Sequence, residues 1–152
     1  MTQDYQTIRP WRNNNPGDLR VLQIPEQWFG QTGIDDGPGG PFAIFDSQSS
    51  GWRALAMNLL AYQDIHHLKT VTAILTRYAP SLENDTSGYI ATVCEKMGIT
   101  PYTAINVHNL DTMLSLVSAI ALVEGGPHLP WPEAEKQAGV CRALNLPFNR
   151  TG

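Results

Sequence analysis

The stretch "NLDTMLSLVSAIALVEGG" constrains the fold more than any other part of the sequence. Leu110, Met113, Val117, Ile120 and Glu124 recur at helical spacing and share one face, the most hydrophobic stripe in the chain. Such a helix must lie against other elements, so the domain has to be built around it. Its stripe ends on a carboxylate followed by two glycines. Burial there disfavours the charged form of Glu124, and the negative end of the helix does the same. A carboxyl that keeps its proton near neutral pH can serve as a general acid. Gly125 and Gly126 are expected to stop the helix and leave open space beside that group. A carboxylate at a frayed helix end is also a common surface feature, so Glu124 alone does not define a function.

The rest of the chain divides near Ser47. Before it, "RNNNPGDLR" and "IDDGPGGP" are turn-rich, and "LRVLQI" and "PFAIF" read as short strands. Residues 18–46 are therefore expected to form a small irregular β-hairpin lobe. After it the period becomes helical. Trp52, Leu55, Leu59 and Tyr62 form one stripe, and Val71, Ile74, Leu75 and Tyr78 another. "NDTSGYIATVCEKMG" begins with capping residues and stops at Gly98, and "WPEAEKQAGVCRALN" supplies a last helix. The expectation is a mainly α (α+β) fold in one domain, residues 1–152, with about five helices in a body spanning roughly 47–146. Glu83 and Asp85 sit in "LENDTSGY", where Asp85 or Asn84 reads as a helix N-cap, and Asp111 reads as a cap of its own helix.

Composition excludes several function classes. With 42% hydrophobic and 16% charged residues the chain is globular, not disordered. A net charge of −4 and scattered Lys and Arg argue against a nucleic-acid partner. No apolar run approaches the ~18 residues of a membrane span, so no membrane insertion is expected. "MTQDYQTIRPWRNNNPG" lacks an apolar h-region, so synthesis in the cytoplasm without a signal peptide is expected. Cys94 and Cys141 fall on apolar helix faces and read as small core residues, not a disulfide. There is no CxxC, HExxH or Walker loop, and His66 and His67 face apart on a helix, so neither a metal nor a cofactor is expected.

"RNNNPGDLR", "WFGQTG" and "PFAIFDSQSSGWRALAMNLLAY" resemble a run found in lysozyme-like peptidoglycan hydrolases. The similarity is to the glucosaminidase family of bacterial autolysins and flagellar muramidases. Asn14, Asn15 and Gly17, then Trp28 and Gly30, then Phe42, Phe45 and Ser47 occupy similar slots. "RYAPSLENDTSGYIATV" resembles the same family's tyrosine-containing stretch, with Tyr78 and Tyr89 as the matching tyrosines. The chain also resembles phage virion and endolysin-type proteins that begin Arg-Asn-Asn-Asn-Pro-Gly. One departure stands out. In that family the catalytic Glu precedes the Asn loop, whereas here the carboxylate upstream of it is Asp4, and "SAIALVEGG" lies near the other end. A circularly permuted order would reconcile the two.

The resemblance implies a lysozyme-like fold and cleavage of peptidoglycan glycan strands, of muramidase or lytic transglycosylase type, with Glu124 as general acid. It implies a substrate groove between lobe and body. Trp28, Tyr78 and Tyr89 would stack on sugars or brace the site, and Asn14 and Asn15 would bond the loop or N-acetyl groups. Asp35 and Asp36 are the expected second carboxylates; without them the sugar's own N-acetyl group would assist and an anhydro product form. Delivery to the wall would be by lysis, a virion or a secretion machine, and an injected effector would have an immunity or inhibitor protein as partner. The alternative is a non-catalytic peptidoglycan-binding or virion structural domain of the same shape.

Overall fold

A computed structural model describes residues 4–80 and 84–148; Glu83 lies outside them. The order of elements is α1 (Arg9–Arg12), β1 (Gln31–Asp35), β2 (Phe42–Phe45), α2 (Gln48–Asp64), α3 (Val71–Tyr78), α4 (Thr86–Met97), α5 (Leu110–Gly125) and α6 (Glu133–Ala143). The protein is mainly helical with one small antiparallel hairpin, the α+β class expected.

The central helix behaves as its sequence demands. Met113, Val117 and Ile120 are fully buried, and α5 packs against α1, α2, α4 and α6. The stripe of α2 is buried too: Trp52, Leu55 and Leu59 are enclosed, with Tyr62 at the margin of the core. Burying each such side chain contributes about 1.5–3 kcal/mol. Cys94 and Cys141 are free and buried in helices α4 and α6.

Side chains set the helix starts. Ser47, Thr70, Asp85 and Asn109 each accept a backbone N–H in the first turn of α2, α3, α4 and α5. Asp85 is thus the cap expected of it. Asp111 is not: Asn109 caps α5, and Asp111 sits in the first turn, where its charge opposes the positive end of the helix. Helix α4 ends on Gly98 with φ 70°, the left-handed stop its sequence signalled.

The lobe departs from expectation in one strand. Phe42–Phe45 is β2, but its partner is Gln31–Asp35, not "LRVLQI". The latter runs beside β2 and makes one isolated bridge, Arg20 to Phe42. Its end turns to solvent, with Ile24 94% exposed, and Pro25 has no N–H to extend a ladder. Strand β1 escaped notice because Gly33 and the half-exposed Ile34 give it no apolar face.

Helices α2 and α6 approach closely at Gly139. A Cβ there would meet the Ser49 carbonyl oxygen, the Trp52 Cβ and the Arg53 nitrogen, all atoms that cannot swing aside. Gly→Ala in an exposed helix stabilises by up to ~1 kcal/mol. At Gly139 the sign should reverse, and Gly139→Ala should cost about 1–3 kcal/mol as the helices are forced apart. A denaturant midpoint equal to or above wild type would contradict this packing.

Candidate functional site

Asn15 builds the loop that precedes the lobe. It is fully buried, donates to the carbonyls of Leu19 and Ala43 at 2.9 Å each, and accepts from Leu19 N–H at 2.8 Å. The turn it holds sets the Gly17 carbonyl against the Tyr78 hydroxyl, which donates to it. The next residue, Asp18, takes a left-handed backbone (φ 51°), which Asp tolerates better than most. Its carboxylate is gripped by Arg9, with Nε to Oδ1 at 2.9 Å and Nη2 to Oδ2 at 2.6 Å. Arg9 also covers the Phe42 ring at 3.8 Å and donates to the Pro38 carbonyl, which fastens α1 to the lobe.

A groove of 670 Å³ runs between lobe and helical body. Trp28 and Phe42 line it from the lobe, Gly17 and Asp18 from the loop, and Tyr62, Arg77 and Tyr78 from α2 and α3. Glu124 reaches it from the end of α5. A second hollow of 390 Å³, walled by Tyr89, Thr92 and Val123, shares Asn84 and Glu124 with the first. Glu124 therefore lines both the groove and the adjoining hollow.

Burial pushes the Glu124 carboxyl up to about 7. The negative charge of Asp18 pushes the same way. The Tyr89 hydroxyl, donating to Oε2 at 2.8 Å, and the more distant Arg9 cation favour the ionised form and limit the rise. Burial raises the Tyr89 phenol far above its ordinary range, so it stays a donor throughout the accessible pH range. Among the described residues, the acid–base chemistry that the groove offers is a Glu124 proton held and released near neutrality. Among the described residues no cluster of three or more His, Cys, Asp or Glu could hold a metal ion.

The expected site residues divide. Glu124, Trp28 and Tyr78 line the groove, and Tyr89 touches Glu124 from the adjoining hollow. Trp28 is half-buried, and its indole N–H is pinned to the Arg20 carbonyl at 2.9 Å. Asn15 has no polar atom left for a ligand, and Asn14 spends its amide on the Phe45 carbonyl at 3.0 Å; both serve the loop. Asp35 is outside the groove. The Asn13 amide, the Arg12 guanidinium and the Gly37 N–H hold its carboxyl well below the usual range, so it acts as a lobe brace. Asp36 is exposed on the hairpin turn, away from the groove lining. The acid that does share the groove with Glu124 is Asp18, which lies inside "RNNNPGDLR" but follows no period that would single it out. The glycines also differ from expectation. Gly126 has open space and φ 91°, whereas a Cβ on Gly125 would meet the terminal methyl of the Leu129 side chain, so the open space lies at Gly126 alone of the two.

These features define a mainly helical protein with a titrating carboxyl in a cleft between its helical body and a hairpin lobe. No family model matches the chain. Over 126 residues it is 34% identical to "Protein P5" of Pseudoalteromonas phage PM2, a match that spans 82% of this chain and 76% of the phage protein. The chain belongs to the family of that phage protein.

Two outcomes follow for Glu124. Its proton affinity is raised on folding, so its contribution to stability is full below about pH 4.5 and is lost as pH rises toward about 7. Wild type should lose about 2 kcal/mol more than Glu124→Gln across that window, after discounting for partial solvent exposure. Parallel pH dependences in chemical denaturation would refute the assignment. Tyr89→Phe removes a bond to the charged form, so carbon-13 NMR of Glu124 should show its titration moved upward by about one pH unit. A downward move would mean that the hydroxyl serves the protonated form.

Proposed function

We propose that this protein cleaves the glycan strand of peptidoglycan, with Glu124 as general acid, on a lysozyme-like fold. The observation that carries the reading is the Glu124 carboxyl, pushed up to about 7 and opening on the groove between lobe and helical body. The permuted order draws support from the same groove. Glu124 lines it together with Gly17 and Asp18, the end of the Asn loop, although over a hundred residues separate them in sequence.

Glu124 gives its proton to the glycosidic oxygen as the C1–O bond breaks. Among the described residues, Asp35 and Asp36 lie outside the groove, both oxygens of Asp18 face Arg9, and Asp85, in the wall of the adjoining hollow, is engaged as the cap of α4. This favours attack by the carbonyl oxygen of the sugar's own 2-acetamido group, which closes a cyclic oxazolinium. The Glu124 carboxylate then takes a proton from the C6 hydroxyl, whose oxygen displaces the acetamido oxygen at C1 and leaves a 1,6-anhydro end. Water in place of that hydroxyl gives the hydrolytic product. Tyr89 steadies the carboxylate formed in the first step.

A phage relative suits delivery to the wall by lysis or on a virion. No helix among the described residues is long and apolar enough to cross a membrane. The net charge of −4 favours a second reading, a glycan-binding or virion structural domain without chemistry, since the wall is itself anionic.

Turbidity clearing of purified peptidoglycan separates the readings. Wild type should clear it, with a rate that falls above about pH 7 as Glu124 ionises, and Glu124→Gln should be slower by about 10²–10⁴-fold. Mass spectra should contain anhydro ends, lighter than hydrolytic products by one water. Equal clearing by both proteins removes Glu124 from the chemistry; sedimentation with the wall but no clearing by either establishes the binding domain.

A further inference from the structure

Arg9, Arg20 and Arg77 all line the groove, and Arg9 and Arg77 are not equivalent. Arg9 is bound to Asp18 through two nitrogens. Arg77, at the last turn of α3, is exposed, and among the described residues it has no carboxylate within ion-pairing distance. Its guanidinium carbon lies 5.4 Å from the centre of the Tyr62 ring, and Tyr78 meets that ring edge-on at 6.4 Å. The two tyrosines and Arg77 all belong to the groove lining, as does the amide of Asn58. A cation at the end of a helix complements its negative pole. That accounts for a positive residue in this turn but not for its placement on an aromatic wall of the cleft. Stacked on Tyr62, the guanidinium is partly preorganised and keeps its planar N–H fork for a carboxylate.

We propose that Arg77 is a specificity-determining residue that recognises a carboxylate carried by the glycan, so that the groove selects strands bearing acidic peptide or lactyl substituents over neutral N-acetylated strands. The inference rests on the glycan-strand reading of the groove and names which glycan it takes. Asn58 and the aromatic wall would meet the uncharged part of the same substituent. The net charge of −4 opposes any wholesale attraction to an anionic polymer, so a preference for acidic strands reports a local cation.

The test compares intact peptidoglycan sacculi with sacculi whose carboxylates have been converted to amides. Binding is read by co-sedimentation of the full chain carrying Glu124→Gln, which measures the ligand whether or not the chain cleaves it. This protein should bind intact sacculi about tenfold more tightly than amidated ones, as a bidentate charged pair predicts. Adding Arg77→Gln should bring the ratio near one, and Arg77→Lys should leave an intermediate preference. Because the readout is a ratio within each protein, a general loss of folded material cancels. No initial preference, no binding at all, or a preference that survives Arg77→Gln each overturns the proposal. Should wild type and Glu124→Gln clear peptidoglycan equally while the Arg77 ratio collapses, the chemistry given to Glu124 fails and the ligand assignment stands.

Discussion

The buried amide of Asn15 is the interaction on which the site depends. Its two N–H groups and its oxygen are all used, and they tie the loop's own turn to strand β2. Loss of that side chain would leave the Ala43 carbonyl and the Leu19 N–H without their partner, each at a cost of about 1–3 kcal/mol, while the Leu19 carbonyl keeps the Ala43 N–H. The loop needs such a clamp, because Asn14 and Asp18 both hold left-handed backbone, with φ of 52° and 51°. Everything that faces the groove from this side follows from it. The Gly17 carbonyl meets Tyr78, Asp18 meets Arg9, and Arg9 in turn lies on Phe42 of β2. The loop, the hairpin and the helical body are therefore registered by one polar group with no solvent contact.

That registration decides the electrostatics around Glu124. Burial is the main reason the carboxyl keeps its proton, and Asp18 is the second push in the same direction. Arg9 grips both oxygens of Asp18. The pair thus places a negative group on the Glu124 side while neutralising its cost to the fold. Tyr89 works in the opposite sense from the adjoining hollow, and the balance falls near neutrality instead of well above it. A general acid that must also act as a base is best served by that middle value.

Periodic features were legible in the sequence, and relational ones were not. The α5 stripe, the α2 stripe, the stop at Gly98 and the Asp85 cap all follow from local spacing, and the structure has them where spacing puts them. Glu124 stood out because it interrupts a pattern. Asp35 and Asp36 drew attention because they adjoin glycines, yet Asp35 is consumed by Asn13 and Arg12, neighbours twenty-odd residues away. Asp18 was missed for the converse reason: its place depends on Arg9, α5 and the lobe together. Strand β1 was missed because its exposed Ile34 and its Gly33 erase the alternation that marks a strand. Asn14 and Asn15 lie in the stretch that carries the resemblance, but they face inward to shape the loop.

The grip of Arg9 on Asp18 bears on the chemistry as well as on the fold. In this ion pair the aspartate side chain is 7% exposed and the arginine 32%, so the carboxylate is the enclosed partner. For Asp18 to attack a sugar carbon it would have to surrender at least one of two charge-assisted bonds, leaving a guanidinium partly unpaired above Phe42. Giving up one of these bonds costs about 1–3 kcal/mol, which a reaction would have to recover in its transition state. On the proposed reading the cheaper course is for the substrate to bring its own nucleophile, the acetamido oxygen, and for Asp18 to stay where it is as a fixed negative charge. On the same reading that charge would also stabilise the positive charge that builds on the sugar ring as the glycosidic bond opens.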